Sequence, residues 1–331
     1  MNILIVGAGA VGQVYAHYLA IGGAKVSFLV RPKHAGEHAD GFTLYPLRTR
    51  GTYEPVRLRP ERIFTSLDDV KNETFDQVWV CVPTTALVKP WIDDVVSASG
   101  DATLVMFPAG INVAERLGLP ADRCVAGLIS MMSWFAPMEG EPKDITPGVA
   151  FWFPPLSPTT FSGPDARRDA VIAALKRGKC PASRGNVKEA GAFGSAVLMP
   201  HIVGLEGAGW SYDELAFSEH LANSVAATRE AIAAAASHLH IKRPFLFGLL
   251  RPWTVRLLLG IIRWLAPLDV ATFFKTHFTK VRAQTQMQMA QYIDLAAKEG
   301  QPTAALTKLT ADVFGAGWRE KQLPAASSSR A

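Results

Sequence analysis

Cysteine is scarce in this chain: three residues in 331, Cys81, Cys124 and Cys180. An odd count with no shared metal spacing argues against a disulfide framework or a metal site, and reduced thiols in a cytoplasmic protein are the simplest expectation. A large excess of one charge is also missing. The formal net charge is +5, and no Lys/Arg block of the kind that tracks a phosphate backbone occurs, so no nucleic-acid partner is expected. The amino terminus lacks a basic region ahead of its apolar run, and glycines interrupt that run, so it does not read as a signal peptide. A long unbroken apolar run is absent too. Residues 244–270 are strongly apolar, but Arg251, Arg256 and Arg263 cut them into pieces well short of the roughly 20 residues of a spanning helix. That segment reads as a buried helical pair or a subunit contact, which hints at a homodimer through this region. An interfacial membrane helix is the alternative, and membrane contact is not the expectation.

What the chain does have stands at its beginning. Ile3-Leu4-Ile5-Val6 is a short apolar run that reads as a fully buried strand. Gly7-Ala8-Gly9-Ala10-Val11-Gly12 follows, with glycines in the G-x-G-x-x-G spacing. Gly7 permits a tight turn, Gly9 lets backbone approach a pyrophosphate, and Gly12 lets the next helix pack closely on the sheet. Val11 to Ile21 carries apolar residues at three- and four-residue steps, and Lys25 to Val30 reads as a second strand. Strand, glycine loop, helix and strand together form a dinucleotide-binding fingerprint, with phosphates on the helix amino terminus.

An acid after the second strand is likewise lacking. Chains that take NAD place Asp or Glu there to accept from the ribose 2′-hydroxyl. Here Arg31-Pro32-Lys33 follows, and Glu37 is the first acid. Two cations, one of them a guanidinium that can grip two oxygens, suit the 2′-phosphate of NADP(H).

Further strands are expected at Gln77–Val82, Thr103–Phe107, Val125–Ser130 and Val149–Phe153, with a helix from about Thr84 to Ser97 and a hairpin or excursion across Asp40–Leu58. The alternation predicts a Rossmann-type, doubly wound, mostly parallel sheet. Ligands meet such sheets at the carboxyl ends of the strands, so Val82, Pro83, Ala109 and Gly110 should border the cofactor. From Asn186 the text turns Ala-rich and helical. The expected domains are 1–184 for the cofactor, 185–321 helical for substrate and dimerisation, and 322–331 a mobile tail.

On Gly7–Gly12, Leu29-Val30-Arg31, the order of elements to Gly110 and the closing Lys298–Thr303, the chain resembles the ketopantoate reductase family. The resemblance implies an NADPH-binding domain, a helical domain and hydride transfer to the carbonyl of a 2-oxo acid in the cleft between them. It also implies a lysine after the Gln77 strand, where this chain has Pro83, and Asn-Gly where it has Ala109-Gly110. The family's acid lysine and two asparagines would fall within Gly191–Ile202, which offers Ser195, Met199, Pro200 and His201 instead. Counted back from Gly300, its substrate-holding Ser falls on Thr272 and its Glu on Gln284.

Reduction of a carbonyl or imine needs a group that stabilises or protonates the developing charge. Without the family's lysine, the candidates are Lys280 as electrostatic donor, His277 three residues before it on one helix face, and His201. Ser195, Thr272 and Gln284 are the candidates for holding substrate. Glu230, within Thr228-Arg229-Glu230, reads as an ion-paired helix residue, and His238 and His240 as structural residues ending a long helix. The expectation is an NADPH-dependent oxidoreductase acting on a small anionic or polar oxo acid other than ketopantoate. An opine-type imine reductase and an inactive NADPH sensor are the alternatives.

Overall fold

A computed structural model describes residues 1–36, 40–83, 86–107, 117–243 and 245–319. By contacts the chain separates into two units, Met1–Gly191 and Ala192–Ala331. In the first, strands β1 (Asn2–Val6), β2 (Lys25–Leu29), β5 (Ile63–Phe64), β6 (Gln77–Val80), β7 (Thr103–Met106), β8 (Cys124–Leu128), β11 (Thr159–Ser162) and β12 (Ala182–Arg184) form one sheet. Its order is β12-β11-β8-β7-β6-β1-β2-β5. Every neighbouring pair is parallel except β11 with β8. The central strands are apolar on both faces because both are covered. Ile3, Ile5, Trp79 and Val105 point into one core with helix α1 (Ala10–Ile21). Leu4, Val6, Val78, Val80, Leu104 and Met106 point into another, with α2 (Leu67–Lys71) and α3 (Trp91–Ala98).

Four further strands make a second sheet, ordered β4 (Val56–Leu58), β3 (Phe42–Pro46), β10 (Gly148–Trp152) and β9 (Met132–Ala136). The Asp40–Leu58 region is thus a hairpin, with Phe42 opposite Leu58. The Val149–Phe153 strand, expected in the large sheet, belongs here, pairing in parallel with β3. Helix α1 packs against both sheets. Its Tyr15 is buried, donates to or accepts from Thr159 Oγ1 at 2.9 Å, and stacks on Phe107 with ring centroids 4.9 Å apart. Helix α3 begins at Trp91 rather than near Thr84. The first part of the expected helix, Thr84 and Thr85, lies outside the described residues.

Helix α4 (Asp165–Arg177) leads into β12, and α5 (Val187–Gly207), which carries the division at Gly191, opens the helical half. It is followed by α6 (Tyr212–Phe217), α7 (Glu219–His238), α8 (Pro252–Leu265), α9 (Val270–Lys280), α10 (Arg282–Lys298) and α11 (Ala304–Phe314). Alanines and glycine let the longest helices approach closely. Ala227, Ala231 and Ala234 are buried, and a Cβ on Gly204 would lie 1.9 Å from Ser224 Oγ. Among the described residues Glu230 has no ion pair, contrary to expectation. Its carboxylate accepts the backbone N–H groups of Ala305 (3.0 Å) and Leu306 (2.9 Å), capping α11, which has no side-chain cap from its own Thr303.

For the apolar segment 244–270 the buried helical pair, one of the two expectations, does not form. Helix α8 buries Val255 alone, and its apolar side is exposed rather than packed in a helical pair. The tail from residue 320, including 322–331, lies outside the described residues.

Candidate functional site

The glycine loop is shaped by three separate contacts. Gly7 leaves β1 with φ of +98°, and its N–H donates to Leu29 O at 3.0 Å, fastening the turn to the end of β2. A Cβ there would lie 2.8 Å from Val82 Cγ1 and 3.0 Å from Cys81 O, so the position is closed to other residues on both conformation and space. At Gly12 an added Cβ would sit 2.5 Å from Gly7 O and 3.0 Å from Ile5 Cγ2. The helix touches the loop that feeds it.

Gly9 differs from both. Its backbone is extended, φ −70° and ψ 173°, and an added Cβ would meet only Cys81 O, 4.0 Å away. Gly9 is the N-cap of α1, yet no side chain caps that end and no acid stands in the first turn. Ala10, Val11 and Gly12 therefore present N–H groups with no partner inside the helix, at its positive end. Gln13 steadies the arrangement: its N–H donates to Gly9 O (3.0 Å) and its side-chain Nε2 to Ala8 O (2.8 Å). This cradle, open where a Cβ would stand and lined by amides, fits a diphosphate.

Arg31 stands two residues past the end of β2, at the entrance of a short 3-10 turn, Pro32–His34. It is exposed, as is Lys33, and its Nη2 lies 3.3 Å from His34 Nε2. No acid occurs from Arg31 to Gly36. The sequence reading passed over His34, although its three-residue spacing from Arg31 was the available signal. Gln13 gave no signal at all, since its role depends on the loop's folded shape.

Val82 and Pro83 follow β6 beside this loop, Val82 half-buried and Pro83 exposed. Cys81 N donates to Val6 O at 2.9 Å, and burial pushes its thiol well above the ordinary value, so it stays protonated. Ala109 and Gly110 lie outside the described residues. The ends of β1, β2 and β6 therefore gather Gly7 to Gly12, Arg31, Lys33, Val82 and Pro83 at one edge of the sheet.

The candidates in the helical unit fall into two groups. On α5, His201 Nδ1 lies 2.8 Å from Val197 O and 3.2 Å from Thr228 Oγ1. A carbonyl can only accept, so Nδ1 carries the proton, and Nε2 is buried with no hydrogen-bond partner. Burial holds the imidazole below its ordinary value of 6.5, even against the Val197 contact. His201 is therefore a neutral acceptor at Nε2, with no proton there to deliver. Ser195 is half-buried on the same helix, and the phenol of Tyr292 donates to Ala192 O at 2.7 Å. Burial pushes the Tyr292 phenol up to about 12.

The second group is on α9 and α10. Asp269 Oδ1 accepts the Thr272 N–H at 3.0 Å, which caps α9 and leaves the Thr272 hydroxyl unspent on the cap. His277 is stacked on Phe273, centroids 5.7 Å apart and planes 14° from parallel, and meets the edge of Phe278. Desolvation against these rings and, second, the Lys280 ammonium hold His277 below its ordinary value. Lys280 is exposed in the last turn of α9, and Gln284 stands half-buried in the first turn of α10. Among the described residues no cluster of three or more His, Cys, Asp or Glu could hold a metal ion.

Residues 3–138 match the family model described as Ketopantoate reductase PanE/ApbA. No curated protein sequence matches the chain. Among solved structures, the chain is similar to a PanE/ApbA family ketopantoate reductase from Ralstonia eutropha JMP134, with 18% identity and a TM-score of 0.69 over 97% of this chain and 99% of that one. A 2-dehydropantoate 2-reductase from Methylococcus capsulatus gives 17% and 0.66 over 98% and 99%. A D-mandelate dehydrogenase, solved with NADH and anilino(oxo)acetate, gives 14% and 0.65 over 97% and 99%. At these identities the structural likeness shows a shared fold.

Proposed function

We propose, from the match of residues 3–138 to the ketopantoate reductase PanE/ApbA family model, that the chain is a divergent member of that family and an NADPH-dependent oxidoreductase reducing the carbonyl of a small 2-oxo acid other than ketopantoate. The observation that carries this reading is the open, amide-lined cradle at Gly9 with Arg31, Lys33 and His34 just past β2 and no acid among them. A guanidinium and an ammonium match a 2′-phosphate, whereas a ribose hydroxyl calls for an acceptor. The D-mandelate dehydrogenase neighbour, solved with NADH and anilino(oxo)acetate, supports an oxo acid as substrate within this fold. Pro83 and Ala109, where the family shows Lys and Asn, and the lysine-free run Gly191–Ile202 favour a substrate other than ketopantoate.

When bound, NADPH supplies the hydride. The chain's own part is to balance charge and supply a proton. Lys280, ammonium-bearing at the end of α9, is assigned to stabilise the developing oxyanion at Nζ. His277 beside it is assigned as the proton-transferring group. Thr272, Gln284 and Ser195 are assigned to the polar end of the substrate.

Oxidation of NADPH with a panel of 2-oxo acids tests the reading, with pre-formed imines as a parallel arm. Turnover of an oxo acid is expected, with kcat lowered about a hundredfold in Lys280→Ala while thermal unfolding is unchanged. Turnover of imines alone would instead assign opine-type chemistry. Tight NADPH binding without any turnover would make the protein a sensor.

A further inference from the structure

The exposed face of α8 has no role in the reaction proposed above. Along Pro252–Leu265, Trp253, Leu257, Ile261 and Trp264 fall at steps of four, four and three, which puts them on one side of a helix. Leu258 and Leu265 widen that side. All six are exposed, Trp264 at 86% and Trp253 at 62%.

The helix is held so that this side faces outward. Arg256 Nε donates to Ala216 O at 2.9 Å and its guanidinium lies 4.9 Å above the Phe217 ring. Arg263 pairs with Asp213 at 2.7 Å. These arginines, seven residues apart, fasten one edge of α8 to α6, and Val255 is buried beside them. The apolar stripe lies away from that edge.

The chain segment that carries the stripe is cationic. Residues 242–282 contain eight Lys or Arg and a single acid, Asp269; Arg263 is paired with Asp213 and Arg282 with Glu206 from outside the segment, and the other six cations still outnumber the one acid. A second copy is poorly suited to cover it. A two-fold contact sets a patch against itself, which would bring two such cationic borders together. An anionic, apolar-cored surface suits both features at once. Among the described residues no single helix is long and apolar enough to span a bilayer, but α8 and α9, bent by 102°, pass the length and composition test as a pair.

We propose that α8 is an interfacial membrane helix that seats Trp253, Leu257 and Trp264 at the boundary between the headgroups and acyl chains of an anionic bilayer. The surrounding Lys and Arg lie over its headgroups. Tryptophan at the headgroup level and cations at the rim are the chemistry of such helices. The inference does not rest on the enzymatic reading.

Co-sedimentation of the full-length protein with vesicles tests it. Vesicles of phosphatidylcholine and phosphatidylglycerol in equal parts should pellet the protein. Partitioning onto phosphatidylcholine alone should be about tenfold weaker, and added salt should reduce binding to the mixed vesicles. The triple variant Trp253→Ser, Leu257→Ser, Trp264→Ser changes only exposed side chains. It should lose about tenfold in partitioning while keeping wild-type circular dichroism and NADPH affinity. Absence of binding to the mixed vesicles, equal binding to both compositions, or undiminished binding by the variant would overturn the proposal. So would a wild-type dimer that the variant renders monomeric without any vesicle binding, which would make a second copy the occupant.

Discussion

Replacing Gly12 by Ala probes how the cofactor loop is built. The added methyl would stand 2.5 Å from Gly7 O, 3.0 Å from Ile5 Cγ2 and 3.2 Å from Cys81 Cβ. The nearest of these is a backbone oxygen in a turn pinned by the Gly7 N–H to Leu29 O bond, so it cannot rotate aside. Overpacking of this kind costs about 1–3 kcal/mol, here toward the upper end. Ala in place of Gly inside a helix returns up to about 1 kcal/mol. A net loss of about 1–2 kcal/mol remains, and in a unit of this size it lowers Tm by roughly 2–8 °C. Relief requires α1 to back away from the loop, carrying the amides of Ala10 and Val11 with it. NADPH and NADH should therefore weaken by the same factor, because the diphosphate is common to both. Differential scanning calorimetry and fluorescence titration with each coenzyme read the two effects. Wild-type Tm together with wild-type affinity would refute the close helix–loop contact. A loss confined to NADPH would refute the assignment of these amides to the diphosphate.

Glu230→Ala should lower stability by about 2–3 kcal/mol, since a carboxylate accepting two N–H groups at the start of α11 is removed, and Glu230→Gln by less. Thermal unfolding reads this; unchanged Tm with lost turnover would make Glu230 a reacting group instead of a cap. His201 makes stability sensitive to acid. Its folded-state pKa is lowered, so the unfolded chain takes up the proton first, and the contribution is full above the ordinary value of 6.5 and is lost as pH falls below it. Tm should fall between about pH 7.5 and about pH 5.5, less steeply in His201→Gln. His17 and His277 are shifted in the same direction and should leave part of the slope in that variant. An identical slope in wild type and variant would exclude His201.

The start of the fold was legible because it is local. Strand, glycine turn, helix and second strand lie within thirty residues, and the tightest contact, Gly12 against Gly7 O and Ile5, falls inside that stretch. The second sheet was not, because its central pair joins β3 to β10, about a hundred residues apart, and nothing in Val149–Phe153 says which sheet it joins. Strands β9, β11 and β12 are short and set among prolines and glycines, which masks their alternation. Helix α4 buries only Val171, Ile172, Ala174 and Leu175 and so left a faint periodic signal. For α8 the apolar run suggested a buried helical pair or a subunit contact, but composition does not record whether a partner covers the apolar side. The same holds for the candidate reacting groups. Residue type and position nominated Lys280, His277 and His201 as candidates, yet only the fold reveals that His201 turns its bare nitrogen into a packed interior.

The most direct test is calorimetric titration of the full-length protein with NADPH and NADH, alongside Arg31→Ala. One charge-assisted contact to the 2′-phosphate corresponds to about 1.5–3 kcal/mol, or roughly ten- to hundredfold in Kd. Wild type should bind NADPH more tightly than NADH by about that factor, and Arg31→Ala should erase the difference while leaving NADH affinity unchanged. Equal affinity of wild type for the two coenzymes, or an equal loss of both in the variant, would contradict the cofactor assignment.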